Sequence, residues 1–144
     1  MDINKKVLNE VSKGAKMGMD AVQFVSDKVC DDRFQKVLNV EYGKYKNIFE
    51  RVDKIYPNYD KTDDPEETST MNKMMTWYGI QMKTMSDKSN SKLSELLLQG
   101  TNMGIIEGRR LLNNNPSMDT DVKQILNDFV VMQEDSVETL KKYL

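Results

Sequence analysis

The residues best placed for chemistry in this chain are two carboxylates and an amide that fall on helical apolar stripes. Glu41 interrupts the run Phe34, Leu38, Tyr45, Ile48, Val52 and Ile55, and Gln133 interrupts Val122, Leu126, Phe129, Val137, Leu140 and Leu144. Glu107 falls on or near a third stripe. A helical bundle that holds a dinuclear metal centre supplies a Glu from each of two helices and a Glu-x-x-His from each of the other two, all pointing inward. The match here is poor. The chain has no histidine, which removes the commonest general base and metal ligand. Glu41 heads a Glu-x-x-Lys that ends at Lys44, Gln133 is followed three residues on by Ser136, and Gly18 stands where the first helix would need an acid. No metal, cofactor or catalytic residue is therefore assigned, and the chain reads as leaning away from enzymes. The expectation is a buried polar layer of Glu41, Tyr45, Glu107 and Gln133. Glu41 and Gln133 lie at similar depth and can bond each other or Tyr45, because a buried carboxylate must be paired, protonated or wet.

Glycine supplies the second pattern. All seven glycines fall inside predicted helices, although glycine ordinarily punctuates structure. Gly100, Gly104 and Gly108 stand four residues apart in one helix, and Gly14 and Gly18 in another. A glycine in a helix interior costs ~1 kcal/mol relative to alanine, so about 3 kcal/mol in the triplet must be offset by close packing or a bound partner. The favoured reading is a close-packed seam where the first helix crosses the glycine-triplet helix. A homodimer seam, or ligand space beside Gly100 and Gly104, are the alternatives. Met71, Met74, Met75, Met82 and Met85 share one helix with Tyr78. Such flexible thioethers suit either packing on the body of the protein or an adaptable partner groove. The lone Cys30 is flanked by Asp31 and Asp32, whose charge disfavours the thiolate, so it reads as incidental.

Composition bounds the function. A chain of 144 residues reads as a single domain over 1–144, long enough to bury roughly 68–70% of its unfolded surface. With 23 acidic and 21 basic residues and a net charge of −2, there is no electrostatic case for nucleic acid or an anionic membrane. No apolar run approaches the ~18 residues of a bilayer span. The polar start MDINKK reads as no signal peptide, and one cysteine leaves no intramolecular disulfide. A cytoplasmic location is expected.

The elements that must position these residues are all helical. Apolar spacing of three and four predicts helices over about 2–29, 31–56, 65–87, 91–113 and 117–142. Asp64-Pro65-Glu66-Glu67 is a strong start signal for the third, with a cap, a first-turn proline and an acid three residues after the cap. The polar stretch Ser86–Ser91 predicts a break, with a continuous helix over 65–113 as the alternative. The links after the first and fourth helices are short, so each joins antiparallel neighbours. Residues 57–90 are too many for a turn and form a long crossover that leaves the second and fourth helices parallel. The fold class is thus all-α: a four-helix bundle of ferritin-like order, with an additional helix in the crossover.

The stretch SKLSELLLQGTNMGI and the acidic final helix, in this helix order, resemble small ferritin-like proteins of unknown function from Firmicutes. The resemblance implies a bacterial ferritin-like fold with degenerate metal positions and carries no assigned chemistry. The function expected is that of a non-catalytic interaction or assembly protein, a homo-oligomer or the partner of another protein. An atypical metal-binding ferritin-like protein and a small-ligand binder are the alternatives.

Overall fold

The structure, a computed structural model, describes residues 2–61 and 70–144. Among them are five α-helices, α1 Ile3–Ser26, α2 Asp32–Ile55, α3 Thr70–Thr84, α4 Asn90–Asn114 and α5 Thr120–Leu140, and no strand. Three of the helix starts are held by side chains that accept an otherwise orphaned backbone N–H. Asp2 accepts from Asn4 at 3.2 Å, Asp31 from Phe34 at 2.9 Å and Ser89 from Lys92 at 3.3 Å. Asp119 begins α5 without such a bond. Its carboxylate instead accepts from the Tyr59 hydroxyl at 2.9 Å.

Several boundaries differ from expectation for identifiable reasons. The first helix stops at Ser26, short of Val29, where Gln35 reaches back. Its Nε2 donates to the carbonyls of Ser26 and Val29, the latter at 2.6 Å, and its Oε1 accepts from the Ser26 hydroxyl at 2.9 Å. Residues 85–89 are not helical, so α3 and α4 are two helices and the continuous alternative does not form. Asp87 fixes the break by accepting from the Ser89 N–H at 3.0 Å. The helix α3 ends at Thr84, before Met85, and the start signal at Asp64-Pro65-Glu66-Glu67 lies outside the described residues. After Leu140 the chain tightens into a 3₁₀ turn, Lys141–Tyr143, which lays the Tyr143 ring on Phe34 with centroids 4.3 Å apart.

Contacts between helix ends give the directions. Asn4, at the start of α1, accepts from the backbone N–H of Asp119 at the start of α5 at 2.8 Å, so these two helices run parallel. Ser94 near the start of α4 donates to the Leu140 carbonyl at the end of α5 at 2.6 Å, so α4 and α5 are antiparallel. Arg51, late in α2, pairs at 2.9 Å with Asp128, early in α5, and α2 is antiparallel to α5 as well. The helices α2 and α4 therefore run the same way, and the connection between them must return along their length. The helix α3 lies in that return, packed on α1 and α4. Phe34, Phe129, Leu8, Leu38, Met71, Leu93 and Leu126 are fully buried at the centre, each stabilising the fold by roughly 1.5–3 kcal/mol. No described helix is long and apolar enough to cross a membrane.

Candidate functional site

The interior polar groups gather where α2, α4 and α5 face one another, with Tyr78 entering from α3. Glu41 is 2% exposed. One of its carboxylate oxygens accepts from the Ser136 hydroxyl, and the other lies 3.3 Å from Lys44 Nζ, one turn along α2 at the rim. Tyr45, one turn past Glu41, faces Thr101 across the same cavity, and the Thr101 hydroxyl donates to the Leu97 carbonyl at 2.6 Å. The Tyr78 hydroxyl points at the same carbonyl from 3.4 Å. Burial holds the Tyr45 phenol well above its ordinary ionisation range, the neighbouring Thr101 hydroxyl opposes this, and the Glu41 charge adds to it. Burial does the same to Tyr78, with Tyr45 adding to it. Both phenols stay neutral across the physiological range.

These groups line a cavity together with Gly18, Ala21, Val22 and Leu140. The cavity volume is about 10 Å³, room for about one water. A fully bonded polar layer of this kind can fix the register of the helices that contribute to it. As a metal centre the donor set does not fit. Glu41 is already bonded on both oxygens, and a lysine ammonium occupies the approach. Among the described residues no three carboxylate or cysteine side chains come together as a metal-binding group.

Of the expected layer, Glu41 and Tyr45 stand together. Gln133 and Glu107 are buried, at 3% and 8% exposed, but elsewhere. The partner of Glu41 is Ser136, not Gln133. Gln133 lies one turn earlier on α5, with its Oε1 over Gly104, and its Nε2 has no hydrogen-bond partner among the described residues. Glu107 is six residues beyond Thr101 on α4, roughly 9 Å along the axis, and pairs with Arg110 at 3.1 Å. Ser136, Thr101 and Tyr78 join this layer although the sequence pattern assigns none of them to it. A signal existed for Ser136, which occupies the place of the histidine in a Glu-x-x-His pattern headed by Gln133.

The five glycines of α1 and α4 are close-packed, but against side chains of other helices and not against one another. A Cβ on Gly14 would meet the Phe129 ring at 2.7 Å. Cβ atoms on Gly18, Gly100, Gly104 and Gly108 would overlap Tyr45, Tyr78, Gln133 and Val130 respectively. Each glycine is therefore a socket for a large side chain from another helix: α2 and α5 fill those of α1, and α3 and α5 fill those of α4. The space expected beside Gly100 and Gly104 holds the Tyr78 ring and the Gln133 amide. On α3, Met71 and Met74 are buried with Tyr78, Met82 is half-buried, Met75 is 39% exposed, and Met85 lies past the helix end. The packed side of that helix is thus narrower than the methionine pattern suggested. Comparison of the chain with protein-family models, curated proteins and solved structures finds no match.

Proposed function

We propose that this chain is a non-catalytic ferritin-like helical bundle that works as an assembly protein, associating with copies of itself. One observation carries the reading: the interior is filled. Side chains of neighbouring helices occupy the glycine sockets, the one buried carboxylate of the polar layer is bonded on both oxygens, and the cavity beside it has room for about one water. Function then falls to the surface, where Val40, Ile80 and Ile106 are each more than half exposed. The parallel course of α2 and α4, with α3 in the connection between them, is the chain order of ferritin-like folds and supports that part of the reading.

The test combines elemental analysis of the purified chain with its mass in solution. The expected result is no stoichiometric iron or manganese and a solution mass above that of one chain at high concentration. Stoichiometric metal that survives dialysis against a chelator, or a monomer at every concentration, would overturn the reading.

A further inference from the structure

We infer that the outer face of α2 is a self-association surface on which a second copy of the chain docks antiparallel, with Gly43 on the two-fold axis. This deepens the assembly reading above and rests on it. The starting point is a glycine that nothing explains from within. A Cβ on Gly43 would meet no atom of the described residues within 4 Å, so its helix cost is not offset by a socket there, unlike that of the interior glycines. It is the midpoint of an exposed stripe: Asp32, Arg33, Lys36, Asn39, Val40, Lys46, Asn47, Glu50, Asp53 and Lys54 are all exposed.

Positions three, four, seven, ten and eleven residues either side of Gly43 share its face of the helix. An antiparallel second α2 centred on Gly43 sets each residue a given distance before the glycine against the residue the same distance after it. That opposes Lys36 to Glu50, Arg33 to Asp53 and Asp32 to Lys54 of the second copy, with opposite signs in every case. The two-fold axis makes each pair occur twice. Asn39 falls opposite Asn47, where two side-chain amides can bond each other, and Val40 opposite the aliphatic stem of Lys46. A parallel arrangement would instead set like charge on like charge. Between α2 and α5, beside Gly43, lies a shallow groove lined by Asn47, Ile48 and Met132, where Val40 of the second copy can seat. Among the described residues, Glu50 is engaged within its own chain only by Lys46, at 3.9 Å with both side chains exposed.

The chain contains its own control. Gly79 on α3 also meets nothing within 4 Å among the described residues, yet the flanking positions within that helix pair Thr76 with Met82 and Met75 with Lys83. No opposite charges meet there, so an open glycine alone does not produce the pattern seen around Gly43.

Sedimentation equilibrium of the full chain at low salt tests the docking mode. Exposed ion pairs weaken with ionic strength, so self-association should weaken as salt is added. Lys36→Glu and Glu50→Lys each place like charges together twice across the axis, and each should weaken association roughly tenfold or more. An equimolar mixture of the two variants should recover it, because the mixed dimer restores opposite charges at both sites, and the double variant K36E/E50K should associate like the parent. Helical circular dichroism checks that these exposed substitutions leave the fold intact. Association of the parent that both single variants retain, or that their mixture fails to recover, would overturn this docking mode while leaving the assembly reading in place. A parent that stays monomeric would overturn both.

Discussion

Gly100 and Gly43 occupy helices of almost equal length, 25 and 24 residues, and mean opposite things. Gly100 is a socket: the Tyr78 ring stands where a Cβ would be, and the ring is held by burial, by an edge contact with Trp77 at 5.3 Å and by its approach to the Leu97 carbonyl. Gly43 is a bare place on an exposed face. In the first case packing offsets the helix cost of glycine, and in the second nothing among the described residues does. The same residue at the same helical depth thus reports either on the core or on what lies outside it, and only the surroundings decide which.

The sharpest test of that contrast is Gly100→Ala. The added methyl must displace a buried aromatic ring, and overpacking of this kind should cost about 3 kcal/mol in a urea unfolding experiment. A cost no larger than that of the matching change at Gly43 would break the comparison. The interior side can also be read by pH. The Tyr45 and Tyr78 phenols are held above their ordinary value of 10.0 by burial. The folded chain therefore keeps protons that the unfolded chain loses. This contribution to stability is fully present below pH 10 and is lost as pH rises beyond it. Of the six tyrosines, Tyr45 and Tyr78 should show phenolate absorbance at alkaline pH only together with loss of the helical signal, while Tyr59 is also held above its ordinary value, by burial and by the Asp121 and Asp119 carboxylates. Ionisation of all six near pH 10 with helices intact would contradict the closed interior.

A smaller gain is expected at Gln133. Its unpartnered Nε2 is a buried donor, and Gln133→Met keeps the length of the side chain while removing that donor. Stability should rise by about 1 kcal/mol, read as a higher urea midpoint, whereas a loss would mean that the amide is bonded. The smallest effect is that of Gly43→Ala. In dilute protein it should stabilise the chain by about 0.5–1 kcal/mol, since the new methyl meets nothing and the helix gains propensity. Thermal unfolding of the two chains at matched low concentration measures it.

The helices were legible in the sequence because each buries one stripe, and a stripe of period 3.6 shows in the residue order itself. The break before α4 was legible for a different reason: Asp87 and Ser89 are short side chains that bond nearby backbone N–H groups, a purely local signal. What could not be read was pairing across helices. Glycines four apart announce a close approach without naming what approaches, so Tyr78 over Gly100 and Phe129 over Gly14 were invisible. The burial of Glu41 was clear from the stripe that it interrupts. Its bond to Ser136 was not, because 95 residues separate them and only the packed fold sets their relative depth. Glu107 and Gln133 were rightly placed inside but wrongly gathered with Glu41, since similar depth on separate helices does not fix which faces meet.

The parallel course of α2 and α4 has a kinetic consequence. Many of the contacts that hold the molecule together join residues far apart in the chain, such as Asn4 with Asp119 across 115 residues and Tyr59 with Asp121 across 62. An up-and-down arrangement of the same helices would close mostly between sequence neighbours. Loops of this size must be closed before their contacts repay the lost chain entropy, and folding slows as mean contact separation grows. The α1–α2 hairpin closes a short loop, but Asn4 and Glu41 take their partners from α5, so the polar layer around Glu41 cannot be complete before the last helix packs.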